Sequence, residues 1–381
     1  MLARGPGFSN GHPPRPRRGR PRGLRDSYRG LLQQQEPPSA RPCTEFDKAY
    51  FHAYSHIGVH EEMIKDHVRT GTYKAAIMQY QNLIEGKVVL DVGCGTGILA
   101  IFCAFAGARR VYAVDASEIA LQDVNIEENV DVIISEWMGY MLLYETMLPS
   151  IIFARDKWLK PGGLILPSHA TLYMAPVTHT ARYSESIDFW RDVYGIKMSA
   201  MLPLAKQSAF EEPCIETITG ENILTWPLVQ VMEVDCYTII VQELESVTAK
   251  YRFSSMLNAP LHGFAFWFDV EFNGPAISPS NNHLQFPSGS LSSDQHSQSS
   301  SQSKKRVKSD ETIVLSTAPE DAPTHWQQTL LYLYEPIELK QDQIIEGSVT
   351  LTQSKENARF LNIHLEYSSG GRSFIKESVM R

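Results

Sequence analysis

The 381-residue sequence has no C-x-x-C pair, and its five cysteines (Cys43, Cys94, Cys103, Cys214, Cys236) have no histidines at metal-ligand spacing. An odd, unpaired set argues against a disulfide framework and against structural zinc; no metal is expected, and a reducing compartment is implied. Long apolar runs are also missing. The longest, Ile98–Ala108, falls far short of the ~20 residues that a membrane-spanning helix needs. The first residues are rich in Arg, Pro and Gly and have no apolar core, unlike a secretory signal. Positive charge is scarce outside that arm. Residues 1–43 hold nine arginines against Asp26 and Glu36, so the arm is +7 and, with −8 for the whole chain, the remainder is −15. An acidic body suits cationic ligands and repels a nucleic-acid backbone. The expectation is an intracellular, soluble protein that needs no direct nucleic-acid contact and no membrane.

Two segments are of low complexity. Residues 1–45 read as a disordered arm, since so much Arg, Pro and Gly cannot bury much surface. Residues 276–311 hold twelve serines and the basic run Lys304–Lys308, and lie between the strand-like runs Gly263–Phe272 and Thr312–Ser316. Closure entropy grows only as the logarithm of loop length, so this block reads as a long loop within one hairpin.

Elsewhere the pattern changes once. Residues 46–168 alternate helical stretches with short apolar strands (Val88–Val92, Arg110–Val114, Val130–Ser135, Gly163–Leu166), as a parallel sheet requires. Residues 169–381 are dominated by alternating strand-like runs, including Thr171–Ala175, Gln230–Glu233, Tyr237–Val241, Phe264–Glu271, Ile344–Thr352 and Asn362–Tyr367. These predict an antiparallel sheet or barrel. A helical, aromatic stretch at about 180–204 interrupts them.

The run Val88–Val92 feeds Gly93-Cys94-Gly95-Thr96-Gly97, and a helix-like pattern starts at Ile98. Glycines there allow a tight turn and close approach of a ligand beside a helix N-terminus. The next strand ends in Asp115, twenty residues after Gly95, where a carboxylate can accept both hydroxyl protons of a ribose. The third glycine of the nicotinamide fingerprint is absent, because Ile98 stands in its place. The spacing D-x-G-x-G-x-G from Asp91 resembles instead the first motif of Rossmann-type S-adenosylmethionine-dependent methyltransferases.

Strand Val130–Ser135 runs into Ser135-Glu136-Trp137-Met138-Gly139-Tyr140, with Glu145 nine residues after Glu136. On a helix that spacing puts the two carboxylates on opposite faces. They converge only if Trp137–Tyr140 folds back as a loop, and they then repel unless a cation sits between them. A guanidinium, planar with five donors, suits such a clamp.

The wording of this loop resembles the double-glutamate loop of the type I protein arginine N-methyltransferases. Tyr50-Phe51…Tyr54-Ser55…His60-Glu61-Glu62-Met63…Asp66…Arg69-Thr70…Tyr73 is similar to that family's cofactor-covering segment. Thr324-His325-Trp326 is similar to its barrel loop, and Phe189-Trp190…Val193-Tyr194-Gly195 to its dimerisation arm. The resemblance implies an α/β fold: a Rossmann-like S-adenosylmethionine-binding domain followed by an antiparallel β-barrel with a helical dimerisation arm. It implies methyl transfer to arginines of proteins such as histone tails, giving asymmetric dimethylarginine, in a nuclear homodimer. Glu136 and Glu145 would hold the guanidinium, with His325 and Asp66 as a pair that passes on its proton. His60, Met63, Arg69, Asp91, Gly93, Gly95, Gly97 and Asp115 would hold the cofactor, Arg69 at its carboxylate. Tyr54, Tyr140, Met147 and Trp326 would line the substrate side, Met147 together with Met63 shaping the type I pocket. His60, Met63, Asp66, Arg69 and Tyr73 recur at helical spacing, so one helix face could present them all.

One stretch departs from the resemblance. Only fourteen residues separate Asp115 from Val130, where the family places a helix, a strand and a loop with an adenine-contacting acid. On the order of twenty residues are missing, and Gln122 or Asp123 stands nearest that acid. The competing expectation is therefore a catalytically silent relative that scaffolds partners and binds no cofactor.

Overall fold

In the computed structural model the described residues are 44–115, 126–274 and 312–381. Residues 1–43 of the arginine-rich arm, Gln122 and Asp123, and the serine-rich insert with Lys304–Lys308 lie outside them. Thr44 and Glu45, assigned above to the arm, instead cap and open the first helix, where Thr44 Oγ1 accepts from Asp47 N–H.

The chain enters through three helices, α1 (Glu45–Ala53), α2 (Ile57–Lys65) and α3 (His67–Gln79), and a short α4 (Gln81–Ile84). Four parallel strands follow: β1 (Val88–Val92), β2 (Arg110–Val114), β3 (Val130–Ile134) and β4 (Leu159–Leu166). They are ordered β2-β1-β3-β4, with Val89 paired to Val111 on one side and Val132 on the other. Every residue of β1 is buried, as expected of a strand covered on both faces. Helices α5 (Ile98–Phe105) and α6 (Leu148–Trp158) complete this part. Among the described residues the sheet ends on β2, which is half exposed.

From His169 the pairing is antiparallel. Strands β5 (His169–Val177), β6 (Cys214–Glu216), β7 (Val229–Asp235), β8 (Ser246–Ser254), β9 (Pro260–Phe272), β10 (Ile313–Ser316), β11 (Gln328–Glu338), β12 (Ile344–Gln353), β13 (Leu361–Ser369) and β14 (Arg372–Met380) form two sheets. One is ordered β6-β11-β9-β5-β7 with β10 on β9, the other β14-β13-β12-β8. Their apolar faces meet in a barrel-like core, where the Phe264 ring lies 5.6 Å from Tyr251 and 6.0 Å from Tyr367. Ile313 pairs with Phe272, so the serine-rich insert joins the two strands of one hairpin. Between β5 and β6 runs the arm: α7 (Thr180–Ser186), a hairpin tip at Val193–Ile196 and α8 (Leu202–Phe210).

Two expectations are corrected. Tyr237–Val241 is not a strand: the Asp235 carboxylate accepts from Tyr237 N–H and Thr238 Oγ1, both at 2.9 Å, and a turn leads into a 3₁₀ helix at Val241–Leu244. The stretch from His60 to Tyr73 is not one helix. It breaks at Asp66, which ends α2 and caps α3 by accepting from Arg69 N–H at 2.9 Å.

Candidate active site

The carboxyl ends of β1, β2 and β3 meet α1–α3 and the Thr324–Trp326 loop around one cleft. At its floor is the glycine turn. Gly93, Gly95 and Gly97 all have positive φ (74°, 50° and 79°), which side chains other than glycine rarely adopt. A Cβ on Gly93 would lie 2.4 Å from the Met147 methyl, and one on Gly95 would lie 2.9 Å from the His60 ring. The cradle is therefore shaped by absent side chains, and Met147 and His60 already fill its edges. Asp115 Oδ2 accepts from Gly95 N–H at 2.8 Å, which ties the end of β2 to the turn.

Below the turn Asp91 is fully buried, and neither carboxylate oxygen has a well-formed hydrogen bond among the described residues, the Ala100 amide being the backbone group that acts on it. Burial is the main cause that pushes its pKa up to about 7; the Asp115 charge adds to this, while the Ala100 amide and Arg69 oppose it. The folded protein thus prefers the neutral acid. The contribution of Asp91 to stability should fall as pH rises from the ordinary carboxylate value of 3.8 to about 7 and stay level above it. An Asp91→Asn variant carries no charge and escapes that loss. Its melting-temperature advantage without ligand should therefore widen up to about pH 7. A gap that does not vary with pH in thermal unfolding would refute a strained Asp91.

The loop after β3 turns back on itself through bridges from Gly139 to Leu142 and from Tyr140 to Tyr144. Met141, Leu142 and Glu145 have positive φ, and Trp137 O accepts from Met147 N–H (2.9 Å) and Thr146 Oγ1 (3.0 Å). This return brings Glu136 and Glu145 to the same cleft, where both raise the hydroxyl pKa of Tyr50 and Tyr54 beyond the larger effect of burial. Arg69, itself buried, donates to Glu136 Oε2 from Nε (3.2 Å) and Nη2 (3.1 Å). Its Nη1 donates to Met63 O and Thr70 Oγ1, so among the described residues one Nη2 hydrogen is left over. Glu136 Oε1 is buried and has no hydrogen-bond partner among the described residues. Burial raises the Glu145 carboxyl, against the opposing Tyr144 hydroxyl and Arg359 charge.

The opposite wall comes from a distant stretch of sequence. Asp66 Oδ2 accepts from His325 at both Nδ1 (2.7 Å) and the backbone N–H (2.9 Å). Burial would raise the Asp66 carboxyl, but these bonds and that from Arg69 N–H hold it below the usual range. Trp326 Nε1 donates to Met138 O at 3.2 Å, which fixes the barrel loop on the double-glutamate loop.

Of the residues singled out from the sequence, Tyr54, His60, Met63, Arg69, Gly93, Gly95, Asp115, Glu136, Tyr140, Glu145, Met147, His325 and Trp326 line this cleft. Asp91 lies beneath it, Asp66 lies behind His325, and Gly97 caps α5. Glu62, Trp137 and Met138, not singled out from the sequence, also line the cleft, and Arg359 stands beside Glu145. Glu62, Trp137 and Met138 lie within the cofactor-covering and double-glutamate motifs. Arg359 carried no local signal.

A glycine turn before a helix, a carboxylate at the next strand end and two carboxylates among aromatic rings can hold a nucleotide-like group against a cation rich in N–H donors. A family model described as arginine methyltransferase oligomerization subdomain matches residues 168–297 and 303–372. Another, described as ribosomal protein L11 methyltransferase, matches residues 69–136. The chain is 65% identical over 370 residues to "Probable protein arginine N-methyltransferase 6" of Arabidopsis thaliana, covering 91% of this chain and 84% of that one. It is 63% identical over 403 residues to "Probable protein arginine N-methyltransferase 6.2" of Oryza sativa subsp. indica, covering 100% of both. With 381 residues here, that alignment leaves about 22 positions without a counterpart, close to the shortfall expected between Asp115 and Val130. Among solved structures, the Trypanosoma brucei PRMT1 enzyme-prozyme heterotetrameric complex with AdoHcy matches with a TM-score of 0.70 at 29% identity, over 86% of this chain and 100% of that chain.

Proposed function

The chain belongs to the protein arginine N-methyltransferase family, and from that premise we propose that it transfers methyl groups from S-adenosylmethionine to arginines of proteins such as histone tails, giving asymmetric dimethylarginine. The observation that carries this reading is the returning loop, with Glu145 in the same cleft as the buried, unsatisfied Glu136 Oε1. S-adenosylmethionine supplies an electrophilic sulfonium methyl, so no covalent enzyme intermediate is required. Asp115 and the glycine turn would hold its nucleoside end, and the spare Nη2 hydrogen of Arg69 its carboxylate. The glycine turn fits such a group, because Gly93 and Gly95 present bare backbone to the cleft just before the N-terminus of α5.

In this reading Arg69 fixes one oxygen of Glu136 and leaves the other for substrate. Glu136 and Glu145 would draw the guanidinium charge toward themselves and leave the attacking nitrogen electron-rich. A guanidinium keeps its proton at neutral pH, so deprotonation must accompany or follow transfer. With Nδ1 held by Asp66, the His325 ring has Nε2 left to take that proton. The type I product rests on Met63 and Met147 in the cleft, and the choice of histone tails rests on the acidic body. The test is transfer of labelled methyl from S-adenosylmethionine to an arginine–glycine peptide, with mass spectrometry of the product. Symmetric dimethylarginine would overturn the type I assignment. Saturable protein association with no cofactor binding would favour the silent scaffold.

The arm supports a homodimer. Tyr194, at the hairpin tip, is 98% exposed at φ 52°, an unusual place for an aromatic residue that has no binding role. Phe189, Ile196 and Leu204 are exposed beside it in sequence, and α5 exposes Ile101 and Phe105. In the proposed dimer the arm of one copy packs on α5 of the other. Sedimentation velocity should show a dimer for the wild type and a monomer for Tyr194→Asp. A wild-type monomer at micromolar concentration would rule this out.

A further inference from the structure

Helix α1 has only nine residues and buries none of them, too little to hold itself in place. Its position beside the cleft depends on the turn between β12 and β13. Asn357 Nδ2 donates to Thr44 Oγ1 (2.9 Å) and Asp47 Oδ1 (3.1 Å), and the rings of Phe360 and Phe46 meet edge-on at 4.4 Å.

Arg359 in the same turn reaches in two directions. Toward α1, its Nε donates to Asp47 Oδ1 at 3.2 Å, and its guanidinium lies 4.0 Å from the ring centre of Tyr50 and 4.8 Å from that of Phe51. Toward the double-glutamate loop, its carbonyl oxygen accepts from Glu145 N–H at 3.0 Å. Glu145 has φ 59°, so this bond pins a residue in a conformation it rarely adopts. Among the described residues, the titratable groups facing Glu145 are Tyr144 and Tyr140 of its own loop, Tyr50 and Tyr54 of the α1 segment, and Arg359. Arg359 alone among them is a cation.

We propose that Arg359 is a positioning residue for methyl transfer, joining the lid helix α1 and the second glutamate into one unit; this rests on the arginine-methyltransferase reading above. Arg359 touches no reacting atom. Ordering of the lid and placement of Glu145 become a single event, so whatever settles α1 over the cleft also sets the clamp.

The test compares wild type, Arg359→Ala and Arg359→Lys by amide hydrogen exchange and by pH–rate profiles. In Arg359→Ala, exchange should rise both in residues 45–54 and around Glu145. KM for S-adenosylmethionine should rise about tenfold. The acidic limb should move to higher pH, because burial already raises Glu145 and the Arg359 charge opposes it. In Arg359→Lys the limb should stay close to wild type while the lid still loosens. Loosening of α1 alone, with the limb unmoved in both variants, reduces Arg359 to a structural anchor and overturns the proposal. If the wild type transfers no methyl, the activity reading fails, and exchange still decides: joint loosening supports the coupling, separate loosening overturns it. Should Arg359→Ala not fold, Asp47→Asn breaks the same ion pair from the lid side and should loosen both segments.

Discussion

Replacing Glu136 by glutamine is expected to lower kcat for methyl transfer by about 10³-fold or more, the scale seen when a preorganised electrostatic group is removed from a reacting centre. The amide has the shape of the carboxylate but no charge, and it can turn an N–H toward the guanidinium. It should also weaken the hold on Arg69, whose Nε and Nη2 both end on Glu136 Oε2. Leaving a buried cation without its counter-ion costs roughly 3–5 kcal/mol in other proteins. Glu136→Gln should therefore lower the melting temperature as well as the rate. Glu145→Gln should lower the rate with little change in stability, because burial already disfavours the Glu145 charge. The assay is single-turnover transfer to an arginine–glycine peptide beside a thermal melt. If Glu136→Gln keeps more than about a tenth of the wild-type rate, the two-carboxylate clamp is wrong.

The second large effect needs no change to a reacting group. A Cβ at Gly139 would fall 1.6 Å from the Tyr144 carbonyl oxygen and 2.7 Å from its carbon, and both are backbone atoms that no rotamer change can move. Gly139→Ala must therefore force the returning loop open, and with it the position of Glu145. Transfer should fall about 10²-fold or more, as displacements of about 1 Å do elsewhere. S-adenosylmethionine should still bind within a few-fold of the wild type, because the glycine turn at Gly93–Gly97 is a separate part of the backbone. Isothermal titration and the transfer assay separate the two effects. Near-normal turnover in Gly139→Ala would mean that the fold-back is not what sets the clamp.

The parts legible in the sequence were local. The strand, glycine turn and helix from Val88 to Phe105 announce themselves through apolar runs and glycine spacing, and they stand where expected. The convergence of Glu136 and Glu145 was legible as a condition, a loop that must return, and Gly139 shows the backbone approach that makes the return possible. Turn chemistry decided one miss: the apolar pattern of Tyr237–Val241 suits a strand, but the Asp235 carboxylate accepts from the Tyr237 N–H and turns the chain instead. Distance decided another. Asp66 breaks the helical pattern from His60 to Tyr73 because His325, 259 positions away, holds its carboxylate where it caps α3. Arg359 was illegible for the same reason, since its partner Asp47 lies 312 positions earlier.

The margin of the parallel sheet raises a question of solubility. The outermost described strand, β2, has no neighbour on its far side among the described residues, and open strand edges recruit other chains. This edge is guarded. Arg110 Nη1 reaches Glu128 Oε1 at 2.8 Å, Arg109 Nη2 reaches Glu128 Oε2 at 3.1 Å, and the Tyr112 hydroxyl donates to the same carboxylate at 3.2 Å. These charges are exposed and add little stability. An incoming strand would have to strip water from two arginines and a glutamate before it could pair. Among the described residues, the margin of the sheet at β2 is thus lined by charge rather than by an apolar edge.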